Sequence, residues 1–287
     1  MQQRTLGGTS VSAVGLGGMP MSIEGRPDED RSIRTIHAAL EAGVTLIDTA
    51  DAYHRDANEV GHNESLIAKA LSSFGSGASD VLVATKGGHL RPGDGSWTQN
   101  GHPDYLKEAA KASLARLGGD AIDLYQFHRP DTEVPYEDSI GALKDLLDDG
   151  VIRMAGISNA TVDQIRKANQ ILDGRLVSVQ NQFSPAFRSS EDELRYCGEN
   201  GIAFLPWSPL GGIQKAGGLG ETFAPFQEAA DKHGVSPQQV CLAWELALSP
   251  TVIPIPGASR PESITDSAKA AELQLSDEEI QALSAAV

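Results

Sequence analysis

Cysteine is scarce in this chain. Cys197 and Cys241 are the only two in 287 residues, too few for a disulfide framework and without metal-ligand spacing. Positive charge is short as well. Lys and Arg number 23 against 39 Asp and Glu, a formal net charge of −16. That balance argues against unaided nucleic-acid binding and against anionic membranes as partners, since both call for a basic face. No apolar run approaches the ~20 residues of a membrane span. The start, Met1 to Gly8, is polar and lacks the apolar stretch of a secretory signal. These absences make a cytoplasmic location the default expectation. Low-complexity tracts and literal repeats are absent too.

A rhythm is present instead. Apolar, β-branched runs alternate with longer helix-period stretches. The runs are Val14–Met19, Thr45–Thr49, Val81–Lys86, Asp123–His128, Arg153–Ser158, Val177–Gln182, Ala203–Ser208 and Val252–Gly257. Near-continuous apolar character marks strands of a parallel sheet buried on both faces. Between them, Asp28–Ala42 carries Ile33, Ile36, His37 and Leu40 on one helical face and stops at Gly43. Pro103 suits a first helical turn, and Tyr136–Asp149 ends at Gly150. Ser236 with Gln239, Ser259 with Glu262 and Ser276 with Glu279 read as capping boxes. Around Gly7-Gly8 the segment Arg4–Val14 reads as a hairpin. Strand–helix alternation over about 250 residues predicts a (β/α)₈ TIM barrel with an N-terminal β-hairpin, one domain over residues 1–287. The competing doubly wound sheet needs a dinucleotide fingerprint after its first strand, and Gly15-Leu16-Gly17-Gly18-Met19-Pro20 puts proline at the third glycine. Two long connections, Gly87–His102 and Gly211–Thr222, read as functional lids or disordered loops.

Polar residues gather late in the strand candidates. Asp48, Lys86 and His128 end three successive runs, Ser158 and Asn159 close the fifth, Gln180 falls late in the sixth and Ser208 ends the seventh. In a barrel these ends share one face, where sites of this fold are built. Singly, Asp48 reads as a helix cap, Lys86 as a solvated strand end and His128 as a structural histidine; together they read as functional. A partly buried Lys86 needs a counter-charge, which Asp48 supplies. Tyr53 leaves the same strand as Asp48, and a nearby ammonium lowers a tyrosine pKa, making Tyr53 a general acid.

Ile47-Asp48-Thr49-Ala50-Asp51-Ala52-Tyr53 with Gly61 and Glu64 resembles the signature of the aldo-keto reductase family. So do Ala84-Thr85-Lys86, Asp123-Leu124-Tyr125-Gln126-Phe127-His128, Gly156-Ile157-Ser158-Asn159, Val179-Gln180-Asn181, Trp207-Ser208-Pro209-Leu210 and Ile255-Pro256-Gly257. The resemblance implies NADPH-dependent reduction of an aldehyde or ketone to an alcohol, on a barrel without a Rossmann domain. It implies a catalytic tetrad of Asp48, Tyr53, Lys86 and His128, with Tyr53 as proton donor and His128 orienting the substrate carbonyl. For the cofactor it implies Gly18, Met19 and Asp48, then Ser158, Asn159 and Gln180 on the carboxamide and Trp207 stacked on the nicotinamide. Ser208, Leu210 and Gly212 would line the pyrophosphate; Gly257, Ser259, Arg260 and Ser263 would take the 2′-phosphate end, and Asp266 and Ser267 the adenine. The family pattern is broken at His54, where glycine is common, at Asp266, which replaces glutamate, and at Ser267, which replaces asparagine.

Trp97 in the first long connection is the candidate substrate-contacting aromatic, and His89 and His102 bracket it. His54 and His62 flank Asp56 and Glu59, but no ligand spacing supports a metal, and none is expected. Two other functions compete with this one. A serine hydrolase would use Ser158 in Gly156-Ile157-Ser158-Asn159-Ala160, but alanine stands in the elbow's last glycine position and only His233 follows as a base. A weakly active, cofactor-binding regulatory subunit would keep the barrel and lose turnover.

Overall fold

The structure, a computed structural model, describes residues 1–287. The chain opens with the expected hairpin, β1 (Gln3–Leu6) against antiparallel β2 (Thr9–Ser12). Gly7 and Gly8 turn it at φ +56° and +86°, a region that favours glycine. Then come β3 (Leu16–Gly17), β4 (Leu46–Asp48) and β5 (Leu82–Gly87). A small antiparallel ribbon follows, β6 (His89–Leu90) with β7 (Thr98–Gln99). The series ends with β8 (Ile122–Phe127), β9 (Ile152–Ser158), β10 (Leu176–Gln180) and β11 (Ala203–Phe204). Except for the hairpin and ribbon, neighbours pair in parallel in the order β11-β10-β9-β8-β5-β4-β3.

Residues 252–257 close the ring, bridging Phe204 at Val252 and Gly17 at Gly257. Ile253 and Ile255 donate to the carbonyls of Phe204 and Pro206 at 2.9 and 3.2 Å, while Gly15 and Gly17 donate to Pro254 and Pro256 at 2.9 Å each. Both prolines therefore present their missing N–H to the β3 side only, so this edge keeps half its ladder and reads as bridges rather than a full strand. The (β/α)₈ barrel is the fold. Strands are shorter than the apolar runs suggested: Val14–Met19 contributes only Leu16–Gly17 and Ala203–Ser208 only Ala203–Phe204.

Strand pleat sorts the side chains. In β4, Leu46 joins the barrel interior while Ile47 packs outward on the helices, and Asp48 is buried one pleat above Leu46. In β5, Leu82 and Ala84 face inward beneath Lys86, and Val83 faces outward. In β8, Leu124 sits inside beneath Gln126, with Tyr125 and Phe127 outside. Leu6 and Val11 of the hairpin pack onto Leu46, Leu82, Leu124, Leu205 and Ile253 and plug one end of the barrel.

Helix ends depart from expectation in three places. Ser276 and Glu279 form the reciprocal box around the helix Asp277–Ala285. Ser236 accepts from the Gln239 N–H, but the Gln239 side chain donates to Asp266 rather than returning to the cap. Ser259 is no cap: the helix Pro261–Lys269 starts one residue later with Arg260 at its N-cap, because Pro261 takes the first helical position. A reciprocal box at Thr161 and Gln164 was not foreseen. Both long connections are partly structured: Gly87–His102 holds the β6–β7 ribbon, and Gly211–Thr222 holds the 3-10 turn Ala216–Gly218 and the short helix Leu219–Thr222.

Candidate active site

A cleft of about 570 Å³ opens at the barrel end opposite the hairpin. Asp48, Tyr53 and His128 line it, with Lys86 buried beneath them. Lys86 Nζ donates to Asp48 Oδ1 at 2.6 Å, to the Thr49 carbonyl at 2.9 Å and to Tyr53 Oη at 2.9 Å. Three acceptors use all three ammonium protons. Burial alone would lower the Lys86 pKa, but Asp48 and Tyr53 outweigh it and raise the value, so the group is a cation. Gln180 Nε2 donates to the other Asp48 oxygen at 2.7 Å, and Gln126 Nε2 approaches it at 3.4 Å. Burial pushes the Asp48 carboxyl above its ordinary value, opposed by the Lys86 ammonium and these donors.

Tyr53 corrects a detail of the sequence reading. Lys86 does pull its pKa down, but burial pushes it up further, and the net shift is upward. The phenol is therefore firmly protonated. His128 packs edge-on against Tyr53, ring centroids 5.7 Å apart. Its pKa is driven well below the usual imidazole value by burial, then by Lys86, His89 and Arg129, so the ring is neutral. His128 Nδ1 is buried with no hydrogen-bond partner.

The next strand ends form a second polar group. Ser158 Oγ donates to the Gln180 carbonyl at 2.7 Å, and Asn159 Nδ2 donates to Ser158 Oγ and to the His128 carbonyl, each at 3.0 Å. Trp207 Nε1 donates to Asn159 Oδ1 at 3.2 Å. Asn159 and Ser208 hold φ of +58° and +52°, strained for residues with a Cβ. Ser158 thus has a backbone acceptor and no imidazole partner, the wrong surroundings for a hydrolase nucleophile.

Met19, Ser158, Asn159, Gln180, Trp207, Ser208, Leu210, Gly212 and Gly257 of the expected cofactor set line the cleft, as does Trp97. Gly18 does not line it: an added Cβ would stand 2.5 Å from Asn63 Oδ1 and 2.9 Å from the Asp48 carbonyl, so this glycine lets β3 close on β4. Ser259, Arg260, Ser263, Asp266 and Ser267 lie beyond the rim at Gly257 rather than on the cleft wall. Arg260 Nε donates to Ser263 Oγ at 2.7 Å. Asp266 accepts from Ser236 at 2.6 Å and Gln239 at 2.5 Å, tying two helices together. His102 sits at the N-cap of the helix Pro103–Leu117, away from the cleft, whereas His89 is in it.

Sequence reasoning gave no role to Gln126, to Glu24 and Arg129 on the cleft wall, or to Glu64, whose buried carboxylate takes Thr85 and Arg116, each at 2.5 Å. Gln126 carried a signal, since it is the inward residue one pleat before His128.

The Aldo/keto reductase family profile matches residues 13–287. The chain belongs to the aldo/keto reductase family, and so to the oxidoreductases. An uncharacterized oxidoreductase of Schizosaccharomyces pombe is 35% identical over 277 residues, 95% of this chain and 86% of that protein. A thermostable aldo-keto reductase solved with the inhibitor epalrestat is 29% identical with a TM-score of 0.84, each chain covered to 100%. A glycerol dehydrogenase of Gluconobacter oxydans is 26% identical with a TM-score of 0.84, covering 99% of this chain and 94% of that one. In this aldo/keto reductase no helix is long and apolar enough to cross a membrane.

Proposed function

We propose that this aldo/keto reductase uses NADPH to reduce an aldehyde or ketone to an alcohol, with Asp48, Tyr53, Lys86 and His128 as its catalytic residues. The observation that carries the reading is the Tyr53 hydroxyl at 2.9 Å from a buried Lys86 ammonium, itself bound to Asp48, on the wall of an open cleft.

The cleft residues fit a nicotinamide dinucleotide. Gln180 Nε2 is engaged by Asp48, which leaves its Oε1 as an acceptor in a residue that lines the cleft. Asn159 and Ser158 stand beside it, and the Trp207 indole is steered by Asn159. Gly212, at φ +102° with nothing within 4 Å of an added Cβ, gives open backbone for a pyrophosphate. Past Gly257, Arg260 and the first turn of Pro261–Lys269 combine a cation with a helix N-terminus, which favours a terminal phosphate and hence NADPH.

When bound, the nicotinamide supplies a hydride to the carbonyl carbon. Tyr53 Oη gives its proton to the carbonyl oxygen as negative charge develops there. Lys86 stabilises the tyrosinate left behind, and Asp48 with Gln180 keeps the ammonium in place. His128, neutral because of its burial and its cationic neighbours, offers an N–H to the carbonyl oxygen without competing as an acid. The glycerol dehydrogenase relative is consistent with carbonyl–alcohol chemistry on this fold.

Tyr53→Phe keeps the ring and removes the proton. With NADPH and a generic aromatic aldehyde, turnover should fall by about 10²- to 10⁴-fold, while NADPH binding, followed by tryptophan fluorescence, persists. Equal rates in the two proteins would refute the tyrosine assignment. Binding without turnover in wild type across an aldehyde panel would favour the regulatory-subunit reading.

A further inference from the structure

The ionisable groups that line the cleft are Glu24, Asp48, Tyr53, His89, His128 and Arg129. Asp48 is matched by Lys86 at 2.6 Å. Glu24 is matched by Arg91 Nη2, also at 2.6 Å, and Arg91 is further fixed by the His54 carbonyl at 2.5 Å and by the face of Trp97, 4.6 Å away. Tyr53, His89 and His128 are neutral: burial, assisted by Arg129 and Lys86, lowers the His89 pKa to about 4 and holds His128 well below the usual imidazole value, while burial raises Tyr53. Arg129 remains. No carboxylate lies within 4.0 Å of its guanidinium, and burial, the one influence on its pKa, lowers it. In a chain of net charge −16, this half-buried cation on the cleft wall has no carboxylate to match it, and an anionic ligand group would supply the counter-charge.

Position within the cleft tells which ligand would bring that anion. Arg129 follows His128 directly and acts on both His128 and His89, so its charge stands at the Tyr53–His128 end. His89, which feels the Arg129 charge, packs against Trp97 at a 33° tilt with centroids 4.7 Å apart, and the two rings form an aromatic wall of the cleft.

Resting on the carbonyl-reductase reading, we infer that the substrate is a carbonyl compound bearing an anionic group, a carboxylate or a phosphate, which Arg129 binds while the His89–Trp97 wall covers its apolar body. A charged, bidentate hydrogen bond at a partly desolvated arginine gives selectivity for such substrates over neutral isosteres. Because the guanidinium meets only ground-state charge, the selectivity enters through KM more than kcat.

The test compares 3- and 4-carboxybenzaldehyde and a phosphorylated benzaldehyde with 4-formylbenzamide, for wild type, Arg129→Gln and Arg129→Lys. Wild type should prefer at least one anionic aldehyde over the amide by about tenfold or more in kcat/KM. The preference should weaken at higher salt, fall toward unity in Arg129→Gln and survive in part in Arg129→Lys. Which anion gains most separates carboxylate from phosphate. In parallel, calorimetric titration of benzoate, phenyl phosphate and benzamide reads anion binding without any turnover. Turnover with no anion preference, or a preference unchanged in Arg129→Gln, overturns the inference and leaves the reductase reading standing. Arg129-dependent anion binding with no aldehyde reduced by wild type supports the anion site and overturns the reductase reading. Absence of both overturns the inference.

Discussion

The two ends of this barrel are built from the same strands and solve opposite problems. At the plugged end Leu46, Leu82, Leu124 and Ile253 meet Leu6 and Val11 of the hairpin, and the interior is apolar. Further along the same inward row, Asp48, Lys86, Gln126 and Gln180 fill the barrel with polar groups. The contrast extends to two buried carboxylates. Asp48 has Lys86, Gln180 and Gln126 around it. Glu245 lies in the last turn of the helix Pro237–Leu248, near the hairpin end where Arg4 donates to the Leu246 carbonyl, and neither of its oxygens has a partner. The carboxylate at the mouth is held by a cation and two amides, whereas the one at the plugged end is a cost to stability.

Substitutions at the two ends should separate stability from turnover. Lys86→Met should have the largest effect, leaving Asp48 buried without its cation. We expect turnover to fall by about 10³-fold or more and stability by about 3–5 kcal/mol, read by NADPH consumption and urea unfolding. Activity near wild type would show that the mouth does not depend on this ion pair. Leu124→Ala, one pleat below Gln126, should lower stability by about 2–5 kcal/mol with kcat of the folded fraction within about twofold. A large kcat loss would mean that the ends are coupled.

Glu245→Leu should act in the opposite direction. Burial raises the Glu245 pKa well above its ordinary value. The folded state then holds a proton that the unfolded state releases above the ordinary carboxylate pKa, so wild-type stability declines as pH rises through that range. The leucine variant should gain about 1–3 kcal/mol near neutral pH, and its advantage should shrink toward pH 4. A gain independent of pH would point to packing alone. The smallest effect is expected for Ser208→Gly at the mouth. Relief of its φ of +52° should add about 1 kcal/mol or less, measured by the urea midpoint. Destabilisation would show that the serine side chain outweighs the backbone strain.

Much of this was legible in the chain itself. Alternation of apolar strands with capped helices specifies the barrel, because a parallel strand buried on both faces must be apolar throughout. The polar strand ends at Asp48, Lys86 and His128 were visible as interruptions of that pattern. Pro254 and Pro256 were visible too, but only the closed ring shows that both face β3 and reduce the last strand to bridges.

The sequence by itself determined the fold and the family, since period, caps and ordered motifs are local properties of the chain. Tertiary structure decided what the local pattern cannot hold: distances and burial between residues far apart in sequence. It brought Lys86 to Asp48 and Tyr53 together, and it raised the Tyr53 pKa where proximity to lysine alone suggested a fall. It placed Ser259 to Ser267 beyond the cleft wall, and it left Arg129 as the cleft's one cation without a counter-charge. The physical reason is the same in each case: electrostatic energies depend on solvent exclusion and separation in space, and both are set only when the barrel closes.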